Sequence, residues 1–369
     1  MNTRHIVIDA RVRRSSTGRY ADQLVEHLQD IDHDNRYTIL VAPDDTWRMH
    51  SPNFRTTPSP FPQFSFNPLN ELRFALQLYR LKPDLVHFTM TQQPLLYFGN
   101  IVTMTHDLTM LHFIRRGTTP LPVYWLKKRL YAFLMWWSHR KSRRIVVPAK
   151  TIANELAAYQ PFTKHKTTVI YESIGVLPKI KPKKPATVNG TYLMYQGTFF
   201  PHKNLDRLVA AFDIVHQKKP DLSLVMVGKA EVNQQELAER IKTHPSKGKI
   251  ILTGFLPDNE SRWTFEHATL YVMPSLMEGF SMTALEAMAY GCPVVSSNAS
   301  VMPEVYGPGA HYFDPLSPED IAAKIIEVLD NPTLKKQLIA SGYKQVKKYS
   351  WEKLAAETYT VYRQVLGIH

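Results

Sequence analysis

Short apolar runs alternate with helical patterns along the first half of the chain. The runs are nearly continuous in apolar residues, which is typical of parallel strands in a sheet covered on both faces. Stretches with apolar residues at helical spacing separate several of these runs and predict connecting helices. The predicted strands of this half span residues 5–10, 37–41, 84–88, 101–105, 144–147 and 168–171.

A second series of the same kind begins after residue 190. Between the two series lies VLPKIKPKKPATV, residues 176–188, which is rich in lysine and proline and has no apolar periodicity. A final helical pattern covers residues 351–366. The predicted strands of the second series are 192–195, 222–227, 249–252, 270–273 and 293–296, with helices that begin near residues 204, 234, 259, 281, 318 and 332.

The two series predict an α/β protein with two Rossmann-like parallel-sheet domains that face a central crevice. Open parallel sheets bind ligands outside the carboxyl ends of their strands, so residues at those ends are the candidate site residues. The predicted division is a first domain at 1–175, a linker at 176–190, a second domain at 191–349 and a C-terminal helix at 350–369.

Composition narrows the class of protein without selecting one. The 369 residues suit two cores at roughly 100–200 residues per domain. Cys292 is the single cysteine, so we expect no intramolecular disulfide and no thiolate metal site, and a reducing cytoplasm fits best. No signal-peptide pattern opens the sequence, and no apolar run reaches the ~20 residues of a membrane span.

The net charge of +13 indicates an anionic partner. Nucleic acid, an acidic membrane surface and phosphorylated substrates all fit this charge. The sequence has no zinc finger, no helix-turn-helix pattern and no basic-aromatic single-strand motif, so we expect no nucleic-acid partner. Phosphates and membranes remain as candidate partners.

Glu286 lies within a helical stretch that is otherwise apolar, MTALEAMA. This composition predicts a helix packed on both sides, and carboxylates are rarely buried without a partner, so we expect a ligand or side chain to approach it. Glu278 lies in the preceding loop, followed by Gly279, and the helix N-terminus there favours anions. Two carboxylates near such a helix start predict a sugar-phosphate site.

Two strand-to-helix turns carry candidate phosphate-binding residues. Gly18 follows the first predicted strand, where a glycine lets a diphosphate approach backbone N–H groups, although plain turn chemistry explains it equally well. Lys203 follows Gly197 and Thr198 in the loop after the strand at 192–195. A lysine there can bind a phosphate already held by helix N–H groups.

His106 and Asp107 directly follow the strand predicted at 101–105. An imidazole beside a carboxylate at a strand end suits proton handling or the binding of a sugar hydroxyl, whereas the alternative is a histidine that only caps the strand. His87 and His112 are weaker candidates, and a structural role explains each of them better.

Residues 124–144, YWLKKRLYAFLMWWSHRKSRR, combine three tryptophans with seven lysines and arginines. This composition is typical of a membrane interface, and it also fits a helix that packs one face on the first sheet and leaves its cationic ends in solvent. Both descriptions can hold together. Phe61, Phe64 and Phe66 in PFPQFSF are candidates for lining an acceptor site.

Several of these motifs resemble the retaining glycosyltransferases of family 4, which have the two-domain glycosyltransferase-B fold. Glu278 and Glu286 form the family's E-x7-E pair within EGFSMTALEAMAYGCPVV. GTFFPHKNL resembles the phosphate-binding G-T-x-x-P-R-K-N-L of the mannosyltransferase-like branch, with His202 in place of the usual arginine. THDL resembles the family's HDL stretch, and TGRYADQL resembles its glycine-rich first loop with one glycine missing.

The resemblance, which covers nearly the whole chain, implies roles for these residues. Glu286 would bind the ribose hydroxyls, Glu278 would hold hydroxyls of the donor sugar, and His106 would face the sugar from the first, acceptor-binding domain. Lys203 and the backbone after Glu278 would take the diphosphate. The implied catalytic residues are His106, Lys203 and Glu278, and the implied donor-binding residues are Gly18, Gly197, Thr198, Lys203, Gly279, Phe280, Ser281 and Glu286.

The expected reaction is transfer of a sugar, with retention at the anomeric carbon, from a GDP- or UDP-sugar to a saccharide or lipid-linked acceptor. GDP-mannose is the favoured donor. No acidic metal motif is evident, and a lysine with a helix N-terminus can neutralise the leaving diphosphate, so we expect no metal and no cofactor. The C-terminal helix would cross back to the first domain.

Alternatives remain at this stage. Glu278 acting as a nucleophile, as in retaining glycosidases, is a second mechanism. A nucleotide-sugar 2-epimerase of the same fold and a nucleotide-sugar-binding module without catalysis are second and third functions. The expected location is the cytoplasm, with a lipid-linked acceptor placing the protein peripherally on the anionic inner face of the membrane.

Overall fold

The computed structural model divides the chain into two compact units. The first unit comprises Met1–Leu111, Leu121–Gly175 and Ser350–His369, and the second comprises His112–Pro120 and Val176–Tyr349. Residues 112–120 therefore group with the second unit, which the sequence pattern did not predict. The structure describes residues 3–13, 17–62, 67–114, 119–174, 180–229 and 232–368.

A parallel sheet of seven strands, counted over the described residues, forms the core of the first unit. The strands are β1 (His5–Asp9), β2 (Arg36–Val41), β3 (Phe54–Pro58), β4 (Leu85–Phe88), β5 (Ile101–Met104), β6 (Arg144–Val147) and β7 (Thr167–Val169). Their order is β3-β2-β1-β4-β5-β6-β7. Strands β1, β4 and β5 are buried at every position, as a sheet covered on both faces requires.

The helices of this half follow from their apolar spacing and caps. The α1 helix buries Leu24, Val25 and Leu28, which share one face at helical spacing. The α2 helix begins after Asn67, whose side chain accepts a hydrogen bond from the N–H of Leu69. The helices are α1 (Gly18–Ile31), α2 (Pro68–Leu81), α3 (Thr109–His112), α4 (Leu121–Lys141) and α5 (Lys150–Tyr159).

The second unit is built on another parallel sheet. Its strands are β8 (Tyr192–Gln196), β9 (Ser223–Val227), β10 (Ile250–Gly254), β11 (Leu270–Met273), β12 (Val294–Ser297) and β13 (Ala310–Phe313), in the order β10-β9-β8-β11-β12-β13. Its helices are α6 (Leu205–Lys218), α7 (Val232–Lys242), α8 (Asp258–His267), α9 (Met282–Ala289), α10 (Met302–Tyr306), α11 (Pro318–Asp330) and α12 (Pro332–Val346). Leu193, Phe212 and Ile325 lie in its main apolar core.

The last helix, α13 (Trp351–Leu366), belongs to the first unit and packs against α1. It begins at Ser350, whose side chain accepts a hydrogen bond from the N–H of Lys353. Leu354 and Tyr362 lie on its buried face. The helix predicted from residues 351–366 therefore crosses from the end of the chain back to the N-terminal unit.

The prediction of two Rossmann-like parallel-sheet units is confirmed. The sequence pattern missed β3 and β13, which are edge strands. The reason for β3 is visible in its sequence, FRTTP, which has little apolar character and ends in a proline that only an edge strand tolerates. In each sheet the strands are added first on one side of the first strand and then on the other. This switch lies between β1 and β4 in the first sheet and between β8 and β11 in the second. Such switch points are where open parallel sheets bind ligands.

Candidate active site

An ion pair between Lys203 and Glu278 forms the centre of the candidate site in the second unit. Lys203 Nζ donates to Glu278 Oε1 at 2.6 Å, and the two side chains are only 15% and 9% exposed. Lys203 lies in the loop after β8 and Glu278 in the loop after β11, the strands on either side of the switch point. Two residues predicted from separate motifs are thus in contact. An ammonium has three donors, so Lys203 can bind a phosphate oxygen while it stays bonded to Glu278.

Buried tyrosines hold the loop that carries Gly197 and Thr198. Tyr195 donates its hydroxyl to the carbonyl of Thr198 at 2.6 Å, and Tyr271 donates to the carbonyl of Gln196 at 3.1 Å. Gly228, after β9, approaches this loop so closely that a Cβ there would lie 2.2 Å from the carbonyl oxygen of Gly197. Backbone fixed in this way can present its polar groups to a ligand without rearrangement.

Hydrogen bonds tie the β8 loop directly to the β11 loop. Asn204 donates its side-chain amide to the carbonyls of Pro274 and Pro315, at 3.1 and 2.7 Å. The N–H of Leu276 donates to the carbonyl of His202 at 2.8 Å. His202, which replaces the arginine of the related motif, is buried and stacks on Phe200. Its side chain therefore serves packing in this loop rather than offering an exposed charge.

Left-handed backbone is concentrated at this site. Four non-glycine residues of the described chain have φ in the left-handed region. Three of them lie in the loops after β8, β11 and β12, namely Asn204, Ser281 and Ser300. Each costs on the order of 1 kcal/mol, and such strain persists where surrounding contacts enforce it. Here Tyr306 donates to the carbonyl of Ser281 at 3.0 Å, and Ser300 Oγ donates to the carbonyl of Glu278 at 3.2 Å. Ser281 is the N-cap of α9, so the strained turn fixes the direction of that helix start.

Glu286 is placed differently from the sequence expectation. The α9 helix buries Ala284, Leu285, Ala287 and Met288, but Glu286 is only partly buried. The other positions of α9 are also partly buried, so the helix is fully covered on one face only, and the expectation of a helix packed on both sides is met only in part. Since Glu286 is not fully buried, its burial does not by itself require a charged or hydrogen-bonded partner.

Tyr271 links the two carboxylates electrostatically. Burial raises the pKa of Tyr271, hydrogen bonds to Thr283 and to the carbonyl of Gln196 oppose the shift, and the charges of Glu278 and Glu286 add to it. Its hydroxyl therefore stays neutral and remains a donor. Both carboxylates therefore lie near enough to Tyr271 for their charges to raise its pKa.

His106, at the carboxyl end of β5, is the candidate residue of the first unit. Its Nδ1 lies 2.8 Å from Glu172 Oε1, and its Nε2 lies 3.0 Å from the carbonyl oxygen of Thr89. An ionised carboxylate and a carbonyl only accept hydrogen bonds, so both ring nitrogens donate and the ring is an imidazolium. Burial lowers the pKa of His106, but the hydrogen bond and the charge of Glu172 outweigh it, and the net shift is upward.

A second buried histidine lies close to His106. His87 Nδ1 lies 2.5 Å from the hydroxyl of Tyr362 on α13, and Tyr20 packs edge-on against both imidazoles. Burial, with a smaller contribution from the charge of His106, lowers the pKa of His87 to about 3. His87 is therefore neutral and accepts from Tyr362, which fastens the last helix beside β4.

Gly18 has a packing reason for being glycine. A Cβ at this position would lie 2.0 Å from the carbonyl oxygen of Arg13, so the turn after β1 can close only without a side chain. Arg13 is itself held by ion pairs to Asp22 and Asp45, both at 2.7 Å. This contact accounts for Gly18 without a ligand, and a role in donor binding stays a prediction.

Sequence reasoning missed Glu172, Asn204 and Tyr271. Glu172 directly follows the strand predicted at 168–171, so the rule that strand ends carry function could have selected it. Tyr271 lies inside a strand, and only the hydrogen bonds of its hydroxyl to Gln196 of β8 and Thr283 of α9 reveal its role.

Other candidates are spread more widely. Phe61 packs near Phe74, at 5.9 Å between ring centroids, whereas Phe64 and Phe66 lie outside the described residues. His112 ends α3. Within the described ranges, no group of three or more His, Cys, Asp or Glu side chains is arranged to hold a metal ion. Over the same ranges, no helix has the length and apolar content needed to cross a membrane.

Solved structures share this two-unit architecture. Sucrose-phosphate synthase from Thermosynechococcus elongatus superimposes with a TM-score of 0.78 over 99% of this chain and 100% of that chain, at 17% identity. The Anabaena protein HepE, solved in complex with UDP and glucose, superimposes with a TM-score of 0.70 over 98% and 99% of the two chains, at 14% identity. At these identities the likeness establishes the fold, which is glycosyltransferase-B.

Two family models match consecutive parts of the chain. The model described as glycosyltransferase family 4 matches residues 17–175, and the model described as glycosyl transferases group 1 matches residues 178–345. The chain therefore belongs to the family 4 glycosyltransferases, as its motifs suggested.

Curated relatives match over part of their length. O-antigen chain mannosyltransferase B of Escherichia coli is 31% identical over 173 residues, 47% of this chain and 45% of that protein. MMP alpha-(1->4)-mannosyltransferase of Mycolicibacterium hassiacum is 30% identical over 204 residues, 53% of this chain and 48% of that protein. The matches thus span about half the length of these relatives.

Proposed function

We propose that the protein is a retaining glycosyltransferase that moves a sugar from a nucleotide diphosphate donor to a saccharide or lipid-linked acceptor. The observation that carries this proposal is the Lys203–Glu278 ion pair at the switch point of the second sheet. It joins a phosphate-binding cation and a hydroxyl-binding carboxylate at the place where such sheets take ligands. A donor with a diphosphate next to a sugar needs both groups at this spacing.

Lys203 and the start of α9 neutralise the leaving diphosphate in this mechanism. As the glycosidic bond breaks, negative charge grows on the diphosphate and an oxocarbenium-like sugar forms. Lys203 and the backbone of Gly279, Phe280 and Ser281 stabilise that charge, and the strained turn at Ser281 holds the backbone in place beforehand. Gly197 and Thr198 complete the phosphate side. No metal is required for this step.

Glu278 is assigned to donor-sugar hydroxyls rather than to nucleophilic attack. Its carboxylate is already bonded to Lys203 at 2.6 Å, and its backbone is held by Ser300. The ammonium stabilises the negative charge of this carboxylate, which lowers its nucleophilicity and suits it to hold hydroxyls. We therefore favour reaction on one face of the sugar, with the leaving phosphate helping to deprotonate the acceptor. A glycosyl adduct on Glu278 seen by mass spectrometry would contradict this.

Glu286 and His106 bind hydroxyls in this proposal. Glu286, on the less buried face of α9, takes the ribose. His106 is a cationic donor whose Nε2 bonds the carbonyl of Thr89, and a sugar hydroxyl has to replace that carbonyl to be bound. Because both ring nitrogens face acceptors, His106 acts as a hydrogen-bond donor and not as a general base.

Mannose, carried by GDP, is the proposed transferred sugar. The support is that relatives matched at about 30% identity are named mannosyltransferases, one of them acting on an O-antigen chain. A polysaccharide or glycolipid acceptor fits the same comparison. We place the reaction in the cytoplasm, since the single cysteine, buried Cys292, suits a reducing compartment.

A thermal-shift panel of GDP, UDP, GDP-mannose and UDP-glucose tests this proposal. A ligand at about 100 times its dissociation constant adds ~2.7 kcal/mol of stability, so the preferred nucleotide will raise the melting temperature most. We expect GDP and GDP-mannose to do so, followed by slow hydrolysis of GDP-mannose without an acceptor. Interconversion of donors without an acceptor would favour the epimerase. Binding with no hydrolysis or transfer would favour the inactive module.

A further inference from the structure

The first two-thirds of α4 are exposed or only partly buried. No residue from 121 to 134 is buried, and the large apolar side chains that are exposed there are Leu121, Val123, Trp125, Leu126, Leu130 and Phe133. Burial on this helix begins at Met135 and continues at Ser138 and His139. This part of the helix therefore exposes large apolar side chains to solvent, beside its cations.

The α2 helix continues the exposed apolar surface. Its buried face carries Phe74, Ala75 and Leu78, whereas Leu72, Leu76 and Tyr79 form a second apolar stripe that faces outward. Their spacing of four and three residues puts them on one side of the helix. A helix that packs only one face on its own sheet has no reason to carry a second such stripe.

The loop at residues 94–98 contacts both α2 and the C-terminal part of α4. Tyr79 donates its hydroxyl to the carbonyl of Leu96 at 3.0 Å, and Phe98 packs edge-on against Trp137 of α4. Lys141 donates to the carbonyls of Pro94, Leu95 and Tyr97. Leu96 and Phe98 are 54% and 61% exposed, so the anchored loop holds apolar side chains outward. We call this surface, made by α2, the loop 94–98 and α4, the α2–α4 face.

Exposed apolar groups are concentrated on this face. Of the nineteen large apolar side chains that are exposed in the described chain, thirteen belong to α2, the loop 94–98 or α4. Scattered single groups need no explanation, but their concentration on neighbouring elements indicates a docking site.

The charge around α4 selects the partner. Between Asp107 and Glu155 the sequence has ten lysines and arginines and no acidic residue. Lys127 and Arg129 are exposed within the apolar part of α4. Tryptophan, leucine and cations without anions are the composition that lies in the headgroup region of an anionic bilayer. A protein partner or a second copy of this chain would need a strongly acidic surface, and this chain carries a net charge of +13.

The geometry points to the α2–α4 face as a docking surface for an anionic lipid bilayer, with the apolar side chains entering the headgroup region and the cations contacting lipid phosphates. The inference goes beyond the proposed sugar transfer and does not depend on it, because binding can be measured without donor or acceptor. Docking of this kind would deliver a lipid-linked acceptor to the first unit.

Vesicle co-sedimentation of the whole protein tests the inference. Vesicles of phosphatidylcholine alone are compared with vesicles of phosphatidylcholine and phosphatidylglycerol in equal parts, at low and at high salt. We expect sedimentation with the anionic vesicles at low salt. Removing two charges in Lys127→Gln/Arg129→Gln should weaken it roughly 30-fold, and Trp125→Ser/Leu126→Ser should weaken it by roughly tenfold or more.

Matched controls separate this face from general charge and hydrophobicity. Lys344→Gln/Lys347→Gln removes two exposed charges from the second unit, and Leu316→Ser removes an apolar side chain that is 61% exposed there. Both should bind vesicles like the unaltered protein. If an α4 variant fails to fold, quenching of the unaltered protein's tryptophan emission by brominated lipid in the anionic vesicles gives an independent readout.

Three results would overturn the inference. The first is no sedimentation and no quenching with anionic vesicles at low salt. The second is equal loss of binding in the α4 variants and in their controls. The third is self-association of the unaltered protein in sedimentation equilibrium that Trp125→Ser/Leu126→Ser abolishes, since the face would then bind a second copy.

Discussion

Lys203 and Glu278 show how one contact can combine stability and chemistry. The two side chains are largely withdrawn from water, so each depends on the other for its hydrogen bond and its charge balance. Breaking such a pair by removing one partner leaves an uncompensated charge, and the loss is larger than the value of the contact itself. The same fixed geometry places an ammonium where diphosphate charge develops.

Lys203→Ala should lower kcat by about 100–1,000-fold, the usual effect of removing one donor to a developing oxyanion. Steady-state kinetics with GDP-mannose checks this. Lys219→Ala is the matched control, since Lys219 forms an exposed ion pair with Asp330 and should leave turnover unchanged. Turnover of Lys203→Ala within a few-fold of the unaltered enzyme would show that the diphosphate is neutralised elsewhere.

Glu172→Gln should remove the charge that raises the pKa of His106. A raised folded-state pKa contributes stability that is complete below the unfolded value of about 6.5 and is lost as pH rises through the folded value. The free energy of unfolding should therefore differ by about 1.5–3 kcal/mol between the two proteins below pH ~6.5, and the gap should narrow at higher pH. Urea unfolding over a pH series measures it.

NMR titration of the His106 ring gives a second readout of the same change. Its pKa should fall in Glu172→Gln and stay unchanged in Glu352→Gln, which alters an exposed carboxylate of the same unit. An unchanged His106 pKa in Glu172→Gln would mean that the carboxylate does not hold the imidazolium.

At the scale of elements, the turn between β1 and α1 can close only because Gly18 has no side chain. The Cβ of Gly18→Ala would lie 2.0 Å from the backbone of Arg13, and backbone gives way less readily than a flexible side chain. We expect a loss of about 1–3 kcal/mol in the free energy of unfolding, measured in urea. Gly248→Ala, where no atom lies within 4 Å of the added Cβ, should cost little.

The same variant separates packing from ligand binding at Gly18. If the glycine only lets the turn close, the dissociation constant for GDP will stay unchanged once folding is complete. If a diphosphate approaches this backbone, affinity will fall together with stability. Isothermal titration at low temperature distinguishes the two outcomes.

At the scale of the whole molecule, the last helix belongs to the unit that is farther away in sequence. Leu354 on α13 is fully buried in the first unit, and Leu208 on α6 is fully buried in the second. Each replacement by alanine should cost about 2–5 kcal/mol in its own unit. Hydrogen-exchange mass spectrometry should show faster exchange in β1, β4 and α1 for Leu354→Ala, and in β8 and β9 for Leu208→Ala. Faster exchange near β8 in Leu354→Ala would contradict this division.

The sequence by itself determined the fold class, most strands and the last helix. A parallel sheet that is buried on both faces needs continuous apolar runs, and such runs are visible in the sequence as short-range patterns. It also selected Lys203, Glu278 and His106, because strand ends and helix starts are visible in one dimension. Two edge strands, β3 and β13, were not predicted; an edge strand such as β3 needs little apolar character.

The tertiary structure decided what those residues contact. No short-range pattern encodes that Lys203 meets Glu278, 75 residues away, or that Glu172 holds His106 as an imidazolium. It also decided that Glu286 is only partly buried, because exposure depends on what packs nearby and not on the apolar neighbours along the helix. The physical reason is common to all three cases: charge balance and burial are set by groups brought together only when the loops of different strands meet.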